Sequence, residues 1–234
     1  MKHRSFKAGL VTAFFTIQAF ISITVYPKQS ASVIESLKRL KEGNEKYLQY
    51  PQQERRAKVA QVQRPFAIIL SCSDSRVTPE LVFNQQIGDL FVIRVAGHVI
   101  NNAVLGSIEY AIEKLGSSFI VVLGHERCGA VQAALDVEKS GKAYTGKDHI
   151  KDVINAILPA IDNIPLDINE DKAMKMAVRA NTKFVVEQVR TSRPIIEKRI
   201  KEGKVGIVGA NYDLDSGKVT FLEKSKVSPK TTKN

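Results

Sequence analysis

The chain has two cysteines, and both stand just past a short apolar run. Cys72 opens the segment Cys72-Ser73-Asp74-Ser75-Arg76, two residues beyond the run 66–70. The run 119–123 leads into Gly124-His125-Glu126-Arg127-Cys128-Gly129. Two thiolates and an imidazole are ligand types that zinc prefers. Three of them leave the fourth tetrahedral position to water, whereas structural zinc sites close with four protein ligands. Asp74, two residues from a ligand, can accept a hydrogen bond from that water, and Arg76 can grip the carboxylate with its planar fork. Other readings of the same residues stay open at this level. The cysteines could form a disulfide in an exported protein or serve as small buried hydrophobes. Asp74 and Arg76 could be an ordinary loop ion pair. His98, close to another strand end, is the rival ligand.

These loops need a frame that brings them together. Apolar runs at 66–70, 90–95, 119–123 and 205–208 have the length of buried strands. Helical periodicity at 103–115, 130–139, 150–161, 171–191 and 194–202 separates them. Strands alternating with helices predict an α/β domain with a mostly parallel central sheet flanked by helices. In such a sheet both cysteine-bearing loops emerge at the carboxyl edge, where open α/β sheets hold their ligands. The run 219–222 follows the turn Asp215-Ser216-Gly217 and reads as a C-terminal edge hairpin partner. An amphipathic helix over 33–48 reads as an N-terminal arm, and 52–63 as a polar loop.

A chain of 234 residues suits one domain here, over 33–223. Lys2, Arg4 and Lys7 precede an uncharged, largely apolar run over 8–25, with small residues following at 30–32. Residues 1–32 therefore read as a signal peptide or a membrane anchor, with the body exported, periplasmic or extracellular. Membrane contact is expected only if that segment is retained. The net charge is +11, but four cations in 1–32 and four in the basic tail 224–234 leave only +3 on the body. That is no footprint for nucleic acid.

Cys72-Ser73-Asp74-Ser75-Arg76-Val77 with His125-x-x-Cys128-Gly129 resembles the β-class carbonic anhydrases. The resemblance extends through residues 88–97, Ser107-Ile108-Glu109-Tyr110-Ala111 and residues 203–213. It implies one zinc per chain on Cys72, His125 and Cys128, and reversible hydration of carbon dioxide to bicarbonate and a proton. Asp74 would orient the nucleophile, and Arg76 would keep Asp74 ionised. Phe91, Ala96 and Gly97 would bind substrate in an apolar pocket, and the Gln63 amide would meet a substrate oxygen. The family completes this pocket across a dimer interface, so a homodimer or higher even-numbered oligomer is implied. His98 departs from the asparagine often found at its position. A related zinc hydrolase of carbon disulfide or carbonyl sulfide is the runner-up, and a non-catalytic zinc-binding assembly protein the third reading. Some members are shut by bicarbonate at a second site built on a tryptophan, an arginine and a tyrosine. Arg94 and Tyr212 match the last two, but Ile69 stands at the tryptophan position and the chain has no tryptophan. The resemblance therefore implies an ungated enzyme.

Overall fold

The structure is a computed structural model that describes residues 32–49 and 53–222. The tail 224–234 and nearly all of the segment read as signal or anchor lie outside the described residues. Contacts divide the chain into two units, Met1–Tyr50 and Pro51–Asn234. The first holds α1, Val33–Leu48, capped by Ser32 Oγ accepting the Glu35 amide at 3.2 Å. Ile34, Leu37 and Leu40 carry its apolar stripe, and all three are exposed.

The second unit begins with α2, Gln53–Val59, where a polar loop was expected. Its residues are good helix formers but carry almost no apolar stripe, so periodicity had nothing to register. Arg55 anchors it instead, donating to the Ile87 carbonyl at 2.8 Å and to the Asp89 carboxylate. Then follow β1 (Ala67–Ser71), α3 (Pro79–Val82), β2 (Leu90–Arg94), a 3₁₀ turn (Ala96–His98) and α4 (Asn102–Leu115). β3 (Phe119–His125), α5 (Gly129–Ser140), α6 (Ile150–Ile161) and α7 (Glu170–Arg190) come next. α8 (Ile196–Lys201), β4 (Gly206–Tyr212) and β5 (Val219–Phe221) complete the unit. Among the described residues no helix is long and apolar enough to cross a membrane.

The sheet order is β2-β1-β3-β4-β5. The first four strands are parallel, and β5 returns antiparallel on β4, as the hairpin signal predicts. Alternation splits each strand between two cores. Ile68, Leu70, Ile120 and Val122 pack with Ile108 of α4, Val186 of α7 and Ile196 of α8. Ile69, Val121, Leu123 and Val208 face the other way, onto Val77, Phe83 and Leu214. A third cluster joins Cys72 and Cys128 to Val131, Leu135, Ile157 and Val178 on α5, α6 and α7. β2 is only half-buried because it ends the sheet.

The chain order explains where the site falls. From β1 the sequence goes to β2 on one side and reaches β3 on the other, so the crevice opens at the carboxyl ends of β1 and β3. At that end α7 comes very close to β3. A Cβ added at Gly124 would overlap Thr182 Oγ1 and stand 2.9 Å from Asn211 Oδ1. Gly124→Ala is therefore expected to lower stability by about 1–3 kcal/mol. Gly106→Ala, in exposed space on α4, should stabilise slightly through helix propensity. Thermal unfolding of the two variants checks the contrast, and equal midpoints would show that β3 and α7 have room to separate.

Candidate active site

Strand β1 ends at Ser71, so Cys72 is the first residue beyond it. Parallel pairing sets Ser71 opposite Leu123, two residues before His125. Arg127 then adopts a left-handed φ of 51°, turning the chain into α5 with Cys128 at its N-cap. A helix start favours a thiolate there, since unpaired N–H groups point at it. Arg127 is tied down by a two-pronged pair to Asp215 on the β4–β5 turn, both contacts at 2.8 Å.

The result is a buried trio. Cys72, His125 and Cys128 bring their ligand atoms within 4.8 Å of one another. The sulfurs are 3.9 Å apart and not bonded. Two thiolates on one tetrahedral zinc stand roughly 3.8 Å apart, given bonds of about 2.3 Å. His125 donates from Nδ1 to the Glu126 carbonyl at 2.8 Å, which leaves Nε2 as the free acceptor. That Nε2 is buried without a hydrogen-bond partner. Its lone pair faces two sulfurs, and a zinc ion is a group this donor set fits. The Cys72 thiol is drawn down to about 3, chiefly by its hydrogen bond with Cys128, with the Gly97 amide also donating to its sulfur at 3.3 Å. The same shared proton, with burial, pushes Cys128 up.

Asp74 stands beside this trio, its Oδ2 3.8 Å from His125 Nε2. Arg76 occupies both carboxylate oxygens. Its backbone amide and Nε reach Oδ1 at 3.0 and 2.9 Å, and Nη2 reaches Oδ2 at 2.7 Å. That guanidinium holds Asp74 well below the usual carboxylate range, against the opposing effect of burial. Arg94 braces the same loop, donating to the Cys72 carbonyl at 3.1 Å and the Asp74 carbonyl at 2.6 Å.

The remaining expected residues divide. His98 is fully buried but outside the trio, with Nε2 3.2 Å from Asn181 Nδ2, and burial lowers its pKa to about 4. Gly97 is buried against the Cys72 sulfur, while Ala96 next to it is exposed. Phe91 lies on β2 among the α4-side core, its ring 6.4 Å from that of Tyr110. Gln63 is exposed ahead of the amino end of β1, at the opposite end of that strand from Cys72. Sequence reasoning passed over Asn181, whose signal was an amide that, with Thr182, interrupts a buried face of α7 made otherwise of apolar residues.

The carbonic anhydrase family model matches residues 67–219, a span that contains the whole trio. The chain belongs to the β-class carbonic anhydrases. Carbonic anhydrase 2 of Mycobacterium tuberculosis is 41% identical over 202 residues, covering 81% of this chain and 93% of the relative. A carbonic anhydrase of Mycolicibacterium smegmatis is 37% identical, with the same coverage of 81% and 93%. The Coccomyxa β-carbonic anhydrase, solved in complex with acetazolamide, superposes with a TM-score of 0.71. It is 27% identical, over 82% of this chain and 88% of that one.

In this β-carbonic anhydrase the Asp74 carboxyl is lowered on folding, which fixes the sign of its pH effect. The ion pair with Arg76 contributes stability above the unfolded carboxyl pKa of about 3.9 and loses it as pH falls toward the lower folded value. The stability gap between wild type and Arg76→Ala should therefore be constant from about pH 5 to 8 and close below about pH 4. Urea unfolding at each pH measures it. A gap that closes near neutrality would mean that Asp74 is not the partner Arg76 stabilises.

Proposed function

We propose that the chain catalyses the reversible hydration of carbon dioxide to bicarbonate and a proton, with one zinc held by Cys72, His125 and Cys128. The observation that carries this reading is the buried His125 Nε2 lone pair turned toward two sulfurs, with Asp74 locked beside it. Zinc bound there supplies a Lewis acid with a fourth position open to water. The protein's own groups do the rest. Asp74, ionised and acceptor-only, takes a hydrogen bond from the attacking water and so directs an oxygen lone pair at the carbon. Arg76 fixes the carboxylate plane by holding both oxygens. Arg94 keeps the loop carbonyls pointing away from the reaction.

Carbon dioxide and bicarbonate are the small-molecule partners, and the apolar side chain of Phe91 with the backbone at Ala96 and Gly97 is the proposed wall. Gln63 supports an oligomeric reading. The five residues of β1, at roughly 3.3 Å each, separate it from Cys72 of its own chain, so its amide serves a site on a second copy. We take the unit to be a homodimer or a higher even-numbered oligomer, with α1 as the arm. A structural neighbour from Sordaria macrospora is described as tetrameric. The basic-then-apolar order of residues 1–25 supports export of the body.

Zinc content measured beside stopped-flow hydration tests the proposal. One zinc per chain with rapid hydration is expected. Asp74→Asn should keep the metal and lose roughly a hundredfold or more in rate, since an amide can present a donor where an acceptor is needed. Stoichiometric zinc without hydration would leave only a structural site.

Bicarbonate should act as a simple product inhibitor. Ile69 is buried, offers no donor and fills the space with a branched apolar chain. Arg94 is committed to two carbonyls. Losing one hydrogen bond to an anion weakens its binding roughly tenfold to a hundredfold. Sigmoidal loss of rate with added bicarbonate would contradict the argument from Ile69.

A further inference from the structure

Behind the metal ligands lies a polar assembly that the proposed reaction does not use. Asn181 of α7 and His98 are both 0% exposed. Asn181 Nδ2 donates to the Gly97 carbonyl at 3.0 Å and lies 3.2 Å from His98 Nε2. The Gly97 carbonyl needs a donor, so the amide nitrogen must face it, and its second hydrogen goes to His98 Nε2. The imidazole is then an acceptor at Nε2 and carries its proton at Nδ1. The low pKa that burial imposes keeps it in that neutral form through the working range.

The backbone between these groups is unusual. Gly97 and His98 both have left-handed φ, 64° and 46°, a conformation uncommon for any residue that carries a Cβ. A Cβ at Gly97 would stand 2.8 Å from Ile157 Cδ1, so the turn is pressed against α6 as well. Its purpose is visible on the other side, where the Gly97 N–H donates to Cys72 Sγ at 3.3 Å. Held from behind through its carbonyl, Gly97 presents its amide in front to a metal-ligating sulfur.

We propose that Asn181, locked by His98, is a positioning residue of the metal centre, aiming the Gly97 amide at the Cys72 thiolate. The inference rests on the zinc reading above and deepens it. A hydrogen bond from N–H to a thiolate is charge-assisted and draws density from the sulfur. The sulfur then gives less to the metal, and water at the fourth position ionises more easily. Two thiolates in the ligand set would otherwise hold that water too basic, and the amide offsets part of their donation. Outer partners of this kind change metal affinity or activity by roughly 10–100-fold.

The test uses the full-length chain loaded with cobalt(II), whose thiolate-to-metal charge-transfer band reports the sulfur directly. Asn181→Leu removes the donor at similar volume. His98→Asn removes the ring acceptor while tolerating the left-handed backbone. Asn181→Leu should move the band to longer wavelength, because a thiolate without its hydrogen bond is easier to oxidise. It should also release metal to a chelator roughly 10–100-fold faster, because the more basic sulfur, no longer held by the Gly97 amide, is protonated more readily, and shift the midpoint of the pH–hydration profile upward. His98→Asn should shift all three in the same direction by less. Circular dichroism establishes that each variant is folded. A folded Asn181→Leu with the wild-type band and release rate would overturn the proposal, since a merely structural amide would change melting alone. If Asn181→Leu does not fold, His98→Asn decides on the same band and rate. A wild-type chain that takes up no cobalt would defeat the metal-centre reading on which the inference stands.

Discussion

Two sulfurs 3.9 Å apart and an imidazole lone pair beside them, all buried, do not stay together without a shared proton or a cation. Burial penalises any uncompensated thiolate, and the unpaired His125 Nε2 adds the cost of an unmade bond. The surrounding structure can be understood as what keeps these three from relaxing apart. The parallel pairing of β1 with β3 fixes the spacing of the two loops. The hydrogen bond from His125 Nδ1 to the Glu126 carbonyl fixes the ring so that its other nitrogen must look inward. The start of α5 fixes Cys128, and the α5 and α6 side chains Val131, Leu135 and Ile157 close the space around the sulfurs.

Hydrogen bonds in the next layer do as much as packing. Four residues around the trio each have an anchor of this kind. Arg76 is held by Asp74, Arg94 by two carbonyls and Arg127 by Asp215. Gly97 is held by Asn181. Left-handed backbone recurs beside the trio, at the adjacent Gly97 and His98 and again at Arg127, and the two residues with a Cβ carry its cost. Strain of this kind persists where the environment over-determines it. Here a fully buried amide and a two-pronged ion pair supply that constraint.

Much of this is legible in the sequence because the signals are local. Strands such as 66–70 and 119–123 are continuous apolar runs, and a parallel sheet buried on both faces produces that pattern. The candidate trio announces itself because cysteine is so scarce in the chain that two at strand ends cannot pass as background. What stays hidden depends on partners far away in sequence. α2 forms from residues with no apolar stripe and is anchored by Arg55 to a loop more than thirty residues on. Asn181 reads as a helix residue of modest propensity until its contact with Gly97, 84 residues away, is known. Gln63 poses the opposite problem. Its type and spacing draw attention to it, yet its own chain carries it to the wrong end of β1.

The geometry around Asp74 links the ligands to the choice of chemistry. Its Oδ2 is 3.8 Å from His125 Nε2, almost the distance between the two sulfurs. A carboxylate that near, if unpaired, is itself a competent fourth ligand for a cation and would close the position that substrate water needs. Arg76 prevents this by occupying both oxygens, and its backbone amide adds a third contact from the same loop. The contest is therefore between one guanidinium and one metal ion for a single carboxylate. A loop braced by Arg94 and a buried isoleucine at position 69 give that carboxylate no alternative anion to exchange with. With a metal held by Cys72, His125 and Cys128 as proposed, an open centre would follow from the pairing of Asp74 with Arg76 rather than from the three donors alone.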